Sequence, residues 1–286
     1  MSELSVPRVA GVVLAFNPDS SVVDNVRALR DQVDEVFVVD NSPGEMDAEI
    51  LSALEAVPDV VVLDQGGNVG VAAGFNAGMA AGLEAGADYV WIFDQDSTVV
   101  PGMRGRLVAA YREHPGPVGI VGPALRSHAT GRVYRRESGA GTAEVDVLIS
   151  SGSLFAREML DVIGLHDEPL FIDYVDHDIS LRARRAGYHN LKVYDTLLEH
   201  RFGDSSPVRL LGRDVYLSNY SPMRQYHMAR NRTIVLRRYG VGAWFWEDLW
   251  FTTKAWTKVL LCERDRPAKV AAYFRGWRDG VRYRSP

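Results

Sequence analysis

The stretch Tyr89-Val90-Trp91-Ile92-Phe93-Asp94-Gln95-Asp96-Ser97 decides the fold class of this chain. Its apolar run, Tyr89–Phe93, consists of aromatic and β-branched residues, which predicts a strand buried on both faces. Asp94 and Asp96 follow at the end of that strand, where ligands bind in open α/β sheets. Two carboxylates with this spacing can approach one divalent cation, and Mg²⁺ and Mn²⁺ prefer oxygen ligands. Because such triplets are also common in turns and caps, the triplet alone is weak evidence for a metal site.

Three earlier apolar runs also end in polar residues. These predicted strands are Val9–Phe16, Val36–Val39 and Val60–Leu63, and the first two are followed by Asn17 and Asp40. Amphipathic stretches separate the runs, and this alternation predicts a Rossmann-like, mostly parallel sheet flanked by helices. The expected fold class is therefore α/β, with polar strand ends gathered at one edge of the sheet.

A glycine-rich segment follows the third predicted strand. Gly66-Gly67-Asn68-Val69-Gly70 permits close backbone approach to a ligand and places amides at a helix N-terminus, where anions bind. The segment matches neither G-x-G-x-x-G nor the P-loop, so the dinucleotide and ATP hypotheses lack their motifs. Gly74, Gly78 and Gly82 can instead serve to pack the following helix tightly against the sheet.

The second half of the chain carries another acidic cluster. Further strands are expected at Val118–Gly122, Val133–Ile149 and Lys192–Leu198, and Tyr174–Ala186 predicts a helix that begins with Asp176-His177-Asp178. If the site activates a hydroxyl group for a displacement, a base must take its proton, and Asp176 is the candidate. Asp178 is expected to orient the site or cap the helix, His177 to be a neighbour, and Asp173 to complement the helix dipole.

The net charge of −5 hides an asymmetry along the 286 residues. Residues 207–286 carry 16 Lys+Arg and 6 Asp+Glu, a balance of +10, which leaves −15 for residues 1–206. The basic part is expected to form the helices Met223–Arg238, Trp244–Leu261 and Ala268–Trp277. Such a tail suits an anionic partner, such as a lipid surface or a phosphate-bearing acceptor, or it is simply a solvated helical face.

Cysteine count and hydropathy exclude two classes of protein. With Cys262 as the one cysteine, no internal disulfide framework can form, which fits a reducing cytoplasm. No run approaches the ~18 uncharged apolar residues of a membrane span, so a soluble or membrane-surface protein is expected.

Five segments, in this order, resemble the family 2 glycosyltransferases of the GT-A fold, and within them the bacterial rhamnosyltransferases of polysaccharide assembly. They are Ala15-Phe16-Asn17, Val39-Asp40-Asn41-Ser42, Gly67-Asn68-Val69-Gly70 with Gly74-Phe75-Asn76, Phe93-Asp94-Gln95-Asp96-Ser97, and Phe171-Ile172-Asp173-Tyr174-Val175-Asp176 with Leu181-Arg182. The resemblance covers about residues 8–240 and includes Ser221-Pro222 with Arg230-Asn231. Val175 stands where the family usually has Glu, but the rhamnosyltransferase-like members share Asp-Tyr-Val-Asp.

The resemblance implies a role for each part of the site. It implies donor binding by Ala15, Phe16, Asn17, Asp40, Asn41, Asn68, Gly70, Asn76, Asp94 and Gln95. It implies a divalent cation, Mg²⁺ or Mn²⁺, bound by Asp94, Asp96 and His200. Without the resemblance, the Glu199-His200 pair would not indicate that His200 is a metal ligand. Asp176 falls on the general base, and Tyr174, Asp178 and Arg182 are expected to bind or orient the acceptor.

The rhamnosyltransferase resemblance also implies substrates and a location. The donor would be dTDP-β-L-rhamnose and the acceptor a saccharide on a polyprenyl diphosphate, at the inner face of the cell membrane. A catalytic domain is expected over residues 1–206, with nucleotide-sugar binding in about 8–125 and the acceptor and base region in about 126–206. The tail, residues 207–286, would contact the membrane peripherally through its aromatic and basic residues. Its aromatic residues are Trp244, Phe245, Trp246, Trp250, Phe251, Trp256 and Trp277.

Several alternatives stay open on the sequence. The tryptophans of the tail can pack against the catalytic domain or a second subunit instead of a membrane. The donor can be a UDP-sugar such as UDP-galactofuranose, because uracil and thymine differ by one methyl group. A nucleotidyltransferase shares the sheet and the acidic ligands, but the chain lacks the Gly-rich N-terminal loop with Arg or Lys that this chemistry needs. A non-catalytic membrane-surface protein would not need Asp94, Asp96 and Asp176, and no nucleic-acid partner is expected.

Overall fold

The sheet forms because four apolar segments of the N-terminal half pair in parallel, as their hydropathy predicts. In the computed structural model, which describes residues 6–127, 131, 133, 137–200, 206–210 and 213–284, strand β1 lies between β2 and β4, and β3 flanks β2. The bounds are β1 Val9–Ala15, β2 Glu35–Asp40, β3 Val60–Asp64 and β4 Tyr89–Asp94. The strand β1 is buried along its whole length, as a central strand of a covered sheet should be.

Strand β3 is less buried than its apolar sequence suggests. It stands at the edge of the sheet, and Val61 keeps 38% of its surface exposed. Among the described residues it pairs with β2 alone, so its valines are only partly buried.

The sheet continues beyond β4 with strands of mixed direction. Its order is β3-β2-β1-β4-β8-β6-β9-β5, with β7 paired to β9. The strands are β5 Ser97–Thr98, β6 Val118–Ser127, β7 Thr142–Glu144, β8 Leu154–Ala156 and β9 His189–His200. Because β8 runs antiparallel to both β4 and β6, and β9 is parallel to β6, the strands β4, β6 and β9 point the same way.

The strand expected over Val133–Ile149 is wrong for most of the part that the structure describes. Only Thr142–Glu144 forms a strand, and Val133 makes an isolated bridge to Arg126. Gly139 and Gly141 interrupt the segment, and the φ of Gly141 is +67°, a value that does not occur in a strand. Residues 128–130, 132 and 134–136 lie outside the described part of the chain.

Helices cover the sheet in the N-terminal unit, which comprises Met1–Phe171 and Val175–Arg201. They are α1 Ser21–Arg30, α2 Ala48–Glu55, α3 Val71–Glu84, α4 Met103–Glu113, α5 Arg157–Ile163 and α6 Val175–Arg185, with a 3-10 turn at Glu168–Leu170. On α3, Gly74 and Gly78 face the sheet so closely that a Cβ would lie 2.5 Å from Leu14 and 2.3 Å from Val12. These helical glycines therefore serve to pack α3 against the sheet.

A second unit comprises Ile172–Tyr174 and Phe202–Pro286. It contains the hairpin β10 Ser206–Leu210 and β11 Arg213–Leu217 and the helices α7 Pro222–Tyr239, α8 Ala243–Cys262 and α9 Arg266–Arg282. Gly276 lets α9 approach α7, because a Cβ there would lie 2.2 Å from the Tyr226 carbonyl oxygen. No helix within the described residues has the length and hydropathy of a membrane-spanning segment.

Candidate active site

Strand register gathers the predicted acidic residues at one edge of the sheet. Leu14 pairs with Asp94 and Ala15 pairs with Asp40, so the two aspartates flank the end of β1 on opposite sides. Asp40 is 5% exposed, whereas Asp94 and Asp96 are half-buried. This is the carboxyl edge of the parallel strands, where ligands bind in open α/β sheets.

Gln95 fixes the end of β1 beside this edge. Its Oε1 accepts the Phe16 N–H at 2.6 Å, and its Nε2 donates to the Phe16 carbonyl at 3.2 Å. The Asn25 side chain in turn donates to the Gln95 carbonyl at 2.8 Å. The Gln95 amide, which the sequence placed among the donor-binding groups, is thus hydrogen-bonded to the backbone of Phe16.

The backbone around Asp94 and Asp96 is held on both sides. The Asp94 N–H donates to Ser151 Oγ at 3.0 Å, and that hydroxyl lies 2.7 Å from Ser97 Oγ. Ser97 pairs with His200 across β5 and β9, which places the backbone of His200 directly opposite the residue after Asp96. The side chain of His200 lies outside the described residues, so its role as a metal ligand stays a prediction.

The glycine-rich segment is folded by asparagine side chains. Asn41 Oδ1 accepts the Val69 N–H at 2.8 Å, and Asn68 Oδ1 accepts the Gly70 N–H at 3.0 Å. Gly70 has a φ of +92°, and a Cβ there would lie 2.5 Å from the Phe171 ring. Glycine is therefore required at this position for both its conformation and its size.

The first turn of α3 is partly capped from within the protein. The Ala72 N–H donates to the Phe171 carbonyl at 3.2 Å, and the amides of Val69 and Gly70 are bonded to asparagines. These amides therefore shape the loop in this structure, instead of pointing at a ligand. Since α3 follows β3, its N-terminus lies at the carboxyl edge, and the contact brings Phe171, five residues before Asp176, to that edge.

Asn76 lies deeper than a donor-binding role would suggest. It is 8% exposed, and its side chain donates to the His166 carbonyl at 2.9 Å and accepts the His166 N–H at 2.9 Å. It also donates to Glu168 at 3.0 Å. Asn76 therefore anchors the segment that leads to the second acidic cluster.

Asp176 and His177 form a close pair at the start of α6. The His177 N–H donates to Asp176 Oδ1 at 2.8 Å, and His177 Nδ1 lies 2.9 Å from the same oxygen. Burial by itself would raise the pKa of Asp176, but the His177 charge and these hydrogen bonds outweigh burial and lower it. Asp176 is therefore a carboxylate at neutral pH, with its side chain 24% exposed. From the sequence, His177 is expected only to be a neighbour of the base, so this pairing adds to its role.

Asp178 and Arg182 form an ion pair one turn further along α6. Asp178 is 1% exposed and its Oδ2 lies 3.2 Å from Arg182 Nη2. The Arg182 guanidinium also donates to the carbonyls of Ile163 at 2.9 Å and Leu165 at 2.7 Å. The pair therefore ties α6 to the segment after α5, which fits orientation of the site better than direct contact with an acceptor.

The segment before α6, assigned to the second unit, adopts a strained backbone. Asp173 and Tyr174 both have a φ of +63°, which costs on the order of 1 kcal/mol for a non-glycine residue. Asn231 on α7 is fully buried and donates to the carbonyls of Ile172 at 2.8 Å and Asp173 at 3.0 Å. Arg224 adds hydrogen bonds to the Asp173 carboxylate, including one of 3.0 Å. This explains what the Arg230-Asn231 segment contributes.

Tyr174 is buried and hydrogen-bonded. Its hydroxyl donates to Asp248 Oδ1 at 2.5 Å, and burial together with that carboxylate raises the pKa of Tyr174 well above its ordinary value. Asp248 is also bonded to Arg232 at 2.6 Å. The hydroxyl of Tyr174 is thus engaged by α8, so the expected acceptor-binding role is not visible in this arrangement.

Comparison with known families decides the class of protein. A model of glycosyl transferase family 2 matches residues 12–163, more than half of the chain. The chain belongs to glycosyl transferase family 2. This glycosyltransferase is 28% identical over 248 residues to the dTDP-rhamnosyl transferase RfbF of Shigella flexneri, and the match covers 80% of each protein. It is thus a rhamnosyltransferase-like member of the family.

Solved structures with the same fold lie much further away in sequence. S. aureus TarS 1-349 in complex with UDP-GlcNAc matches the glycosyltransferase with a TM-score of 0.62 and 15% identity, over 93% of this chain and 79% of that one. GalNAc-T7 with UDP, GalNAc and Mn²⁺ matches with a TM-score of 0.60 and 13% identity, over 82% of this chain and 48% of that one. The GT-A fold, with its mostly parallel sheet and helical C-terminal region, is confirmed.

The contacts of three residues were not predicted from the sequence, for different reasons. Ser151 lies in a loop without a motif, and its link to Ser97 exists only after the sheet forms. His177 was adjacent to the candidate base, so the side-chain pairing could have been expected from proximity. Asn231 belongs to a segment that resembles the family, but its hydrogen bond to the Ile172 carbonyl joins residues 59 positions apart in the chain.

Proposed function

We propose that this glycosyltransferase transfers L-rhamnose from dTDP-β-L-rhamnose to a saccharide acceptor with inversion at the anomeric carbon. The observation that carries the proposal is the 28% identity to a dTDP-rhamnosyl transferase over 80% of both chains. The carboxylates at the carboxyl edge of the sheet support the proposal. The donor would lie across that edge, with its nucleoside near Asp40 and the half-exposed ring of Phe16.

A divalent cation fits the donor set at this edge. Asp94 and Asp96 supply half-buried carboxylates, which are the ligands that Mg²⁺ and Mn²⁺ prefer, and the backbone register brings His200 beside them. When bound, the ion would neutralise the charge that builds on the departing diphosphate. The residues present therefore fit the cation that the family resemblance implies.

Asp176 supplies the base in this proposal. Among the described residues, both hydrogen bonds from His177 fall on Oδ1, so we assign Oδ2 to the acceptor hydroxyl. That hydroxyl gives its proton to Asp176 as its oxygen bonds to the anomeric carbon, and the bond from that carbon to the diphosphate oxygen breaks on the opposite face. The products are the rhamnoside and dTDP.

A UDP-sugar donor is the second candidate. One structural neighbour is a complex with UDP-GlcNAc and another contains UDP and Mn²⁺, although both are below 16% identity and show the fold alone. No residue described above distinguishes thymine from uracil. The nucleotidyltransferase alternative is set aside, because the chain belongs to a glycosyltransferase family.

Calorimetry with dTDP-rhamnose and UDP-GlcNAc, each with and without Mn²⁺, tests the donor. We expect Mn²⁺-dependent binding of dTDP-rhamnose and at least about tenfold weaker binding of UDP-GlcNAc. Asp176→Asn should bind the donor normally and lose turnover, while Asp161→Asn, an exposed carboxylate on α5, should behave as wild type. Equal affinity for the two donors would overturn the rhamnosyl assignment, and normal turnover by Asp176→Asn would overturn the base.

The acceptor and its location form the last part of the proposal. A saccharide on a polyprenyl diphosphate would be presented at a membrane surface, and the C-terminal 80 residues from 207 to 286 carry a charge of +10. Basic and aromatic side chains together suit an anionic lipid interface. The enzyme would therefore act as a peripheral protein at the inner face of the cell membrane.

A further inference from the structure

A His-Glu-His cluster lies at the amino edge of the sheet, away from the carboxylates of the donor site. It consists of His114 at the end of α4, Glu144 in β7 and His189 at the start of β9. His189 pairs with Val118 at the start of β6, whereas His200 pairs with Ser127 at its end. The 10 residues of β6 span roughly 30 Å, so the cluster and the proposed catalytic cation are far apart.

The three side chains converge on one point. His114 Nε2 lies 3.3 Å from Glu144 Oε1, and His189 Nδ1 lies 3.0 Å from Glu144 Oε2. One ligand atom from each residue lies within 4.8 Å of the others. Ligand atoms around a tetrahedral Zn²⁺ with bonds of about 2.1 Å are about 3.4 Å apart, so small side-chain adjustments suffice to close this set on one ion.

The surroundings of the histidines suit metal binding. The Gly116 N–H donates to His114 Nδ1 at 3.1 Å and the Gly116 carbonyl lies 3.3 Å from the same nitrogen, so the backbone holds the ring with Nε2 toward Glu144. Gly116 also leaves room for the second ring, because a Cβ there would lie 2.8 Å from His189 Nε2. The His114 and His189 rings stand 4.5 Å apart, so both imidazoles lie beside the same carboxylate.

We propose that His114, Glu144 and His189 bind a divalent transition-metal ion of the Zn²⁺ class. Two imidazoles and one carboxylate are a donor set that Zn²⁺ accepts readily and that Mg²⁺ does not favour. The fourth position faces solvent, since Glu144 is exposed and both histidines are half-buried. The ion would join the end of α4, β7 and the start of β9, and it is separate from the cation of the donor site.

Zinc calorimetry on the full chain tests this site. An Asp96→Asn background removes one carboxylate of the donor-site cation set, and there we expect one Zn²⁺ per chain. Glu144→Gln or His189→Ala in that background should weaken zinc binding more than about tenfold. Glu113→Gln is the matched control, because it makes the same charge change on an exposed carboxylate 3.2 Å from Arg106. No zinc binding, or equal binding by the two glutamine variants, would overturn the proposal.

Thermal melting gives a second measurement that does not depend on enzyme activity. Zinc at a hundredfold excess over its dissociation constant should raise the Tm of the Asp96→Asn protein by about 5 °C. The rise should disappear in the His189→Ala derivative and persist in the Glu113→Gln derivative. An equal rise in all of these proteins would show that zinc acts elsewhere, and it would also overturn the proposal. Neither result depends on which nucleotide sugar the enzyme uses.

Discussion

At the scale of single residues, His177 controls the proton affinity of the proposed base. Its charge and hydrogen bonds lower the pKa of Asp176 against the effect of burial. In His177→Gln the positive charge is lost, so the pKa of Asp176 should rise and the acidic limb of the pH profile of kcat/KM should move to higher pH. The same variant should keep its donor affinity. An unshifted acidic limb would show that Asp176 is not the group that titrates.

His166 is a second residue whose burial has a measurable consequence. It is 4% exposed and packs between Phe75 and Phe155, and burial lowers its pKa to about 3. The unfolded chain takes up the proton near pH 6.5 and the folded chain does not, so stability falls as the pH falls below about 6.5. We expect wild type to lose about 2 kcal/mol more than His166→Gln between pH 7 and pH 5 in urea denaturation. Equal losses would contradict the buried neutral state.

Single residues also show which features of the site the sequence can predict. The Asp94-Gln95-Asp96 triplet and Asp176 stood out because their chemistry is visible in adjacent residues. The hydrogen bonds of Gln95 and Asn76 were not predictable, since their partners lie 79 and 90 positions away in the chain. A side chain that can bind a ligand can equally hold a loop, and only tertiary structure distinguishes the two.

At the scale of elements, the packing of α3 depends on its glycines. Gly78→Ala would place a methyl group 2.3 Å from Val12 and 2.9 Å from Val39, two stiff side chains of the buried sheet. We expect a loss of about 1–3 kcal/mol in the free energy of unfolding, measured by urea denaturation.

The matched control lies on α4. Gly105 is exposed and a Cβ there would meet nothing within 4 Å, so Gly105→Ala should stabilise the chain by about 0.5–1 kcal/mol. If both alanine variants gained stability, α3 would not be packed as closely as the structure shows.

Element boundaries followed from the sequence wherever hydropathy was continuous. The first four strands and helix α7 were predicted to within a few residues, because each strand is a continuous apolar run and α7 is a long helical segment between Ser221 and Gly240. The strand over Val133–Ile149 failed because glycines interrupt the segment: among its described residues only Thr142–Glu144 form a strand, and Val133 makes an isolated bridge. Short strands such as β5 and β8 form because neighbouring strands supply their hydrogen-bond partners, and they are too short to show a hydropathy pattern in the sequence.

At the scale of the whole molecule, charge and exposed aromatic rings predict attachment to anionic membranes. The C-terminal residues 207–286 carry +10 and the rest −15. Within the second unit, Trp246 on α8 is 64% exposed and Trp250 is 57% exposed, one helical turn apart, and Lys254 lies 5.0 Å from the Trp250 ring. Phe251 and Trp277 are also exposed, at 50% and 52%, whereas Trp244 is buried and Trp256 packs on Tyr273.

Sedimentation with lipid vesicles tests whether the tail binds a membrane surface or is only a solvated helical face. The full chain should bind vesicles that contain anionic lipid, bind neutral vesicles weakly, and dissociate as salt is raised, because screening weakens the attraction. Trp246→Ser with Trp250→Ser should reduce binding several-fold by removing aromatic anchors. Val162→Ser, at an exposed apolar residue on α5, is the control and should bind as wild type. If vesicle binding depended on neither lipid charge nor the two tryptophans, the exposed face of α8 would not be a membrane-binding surface.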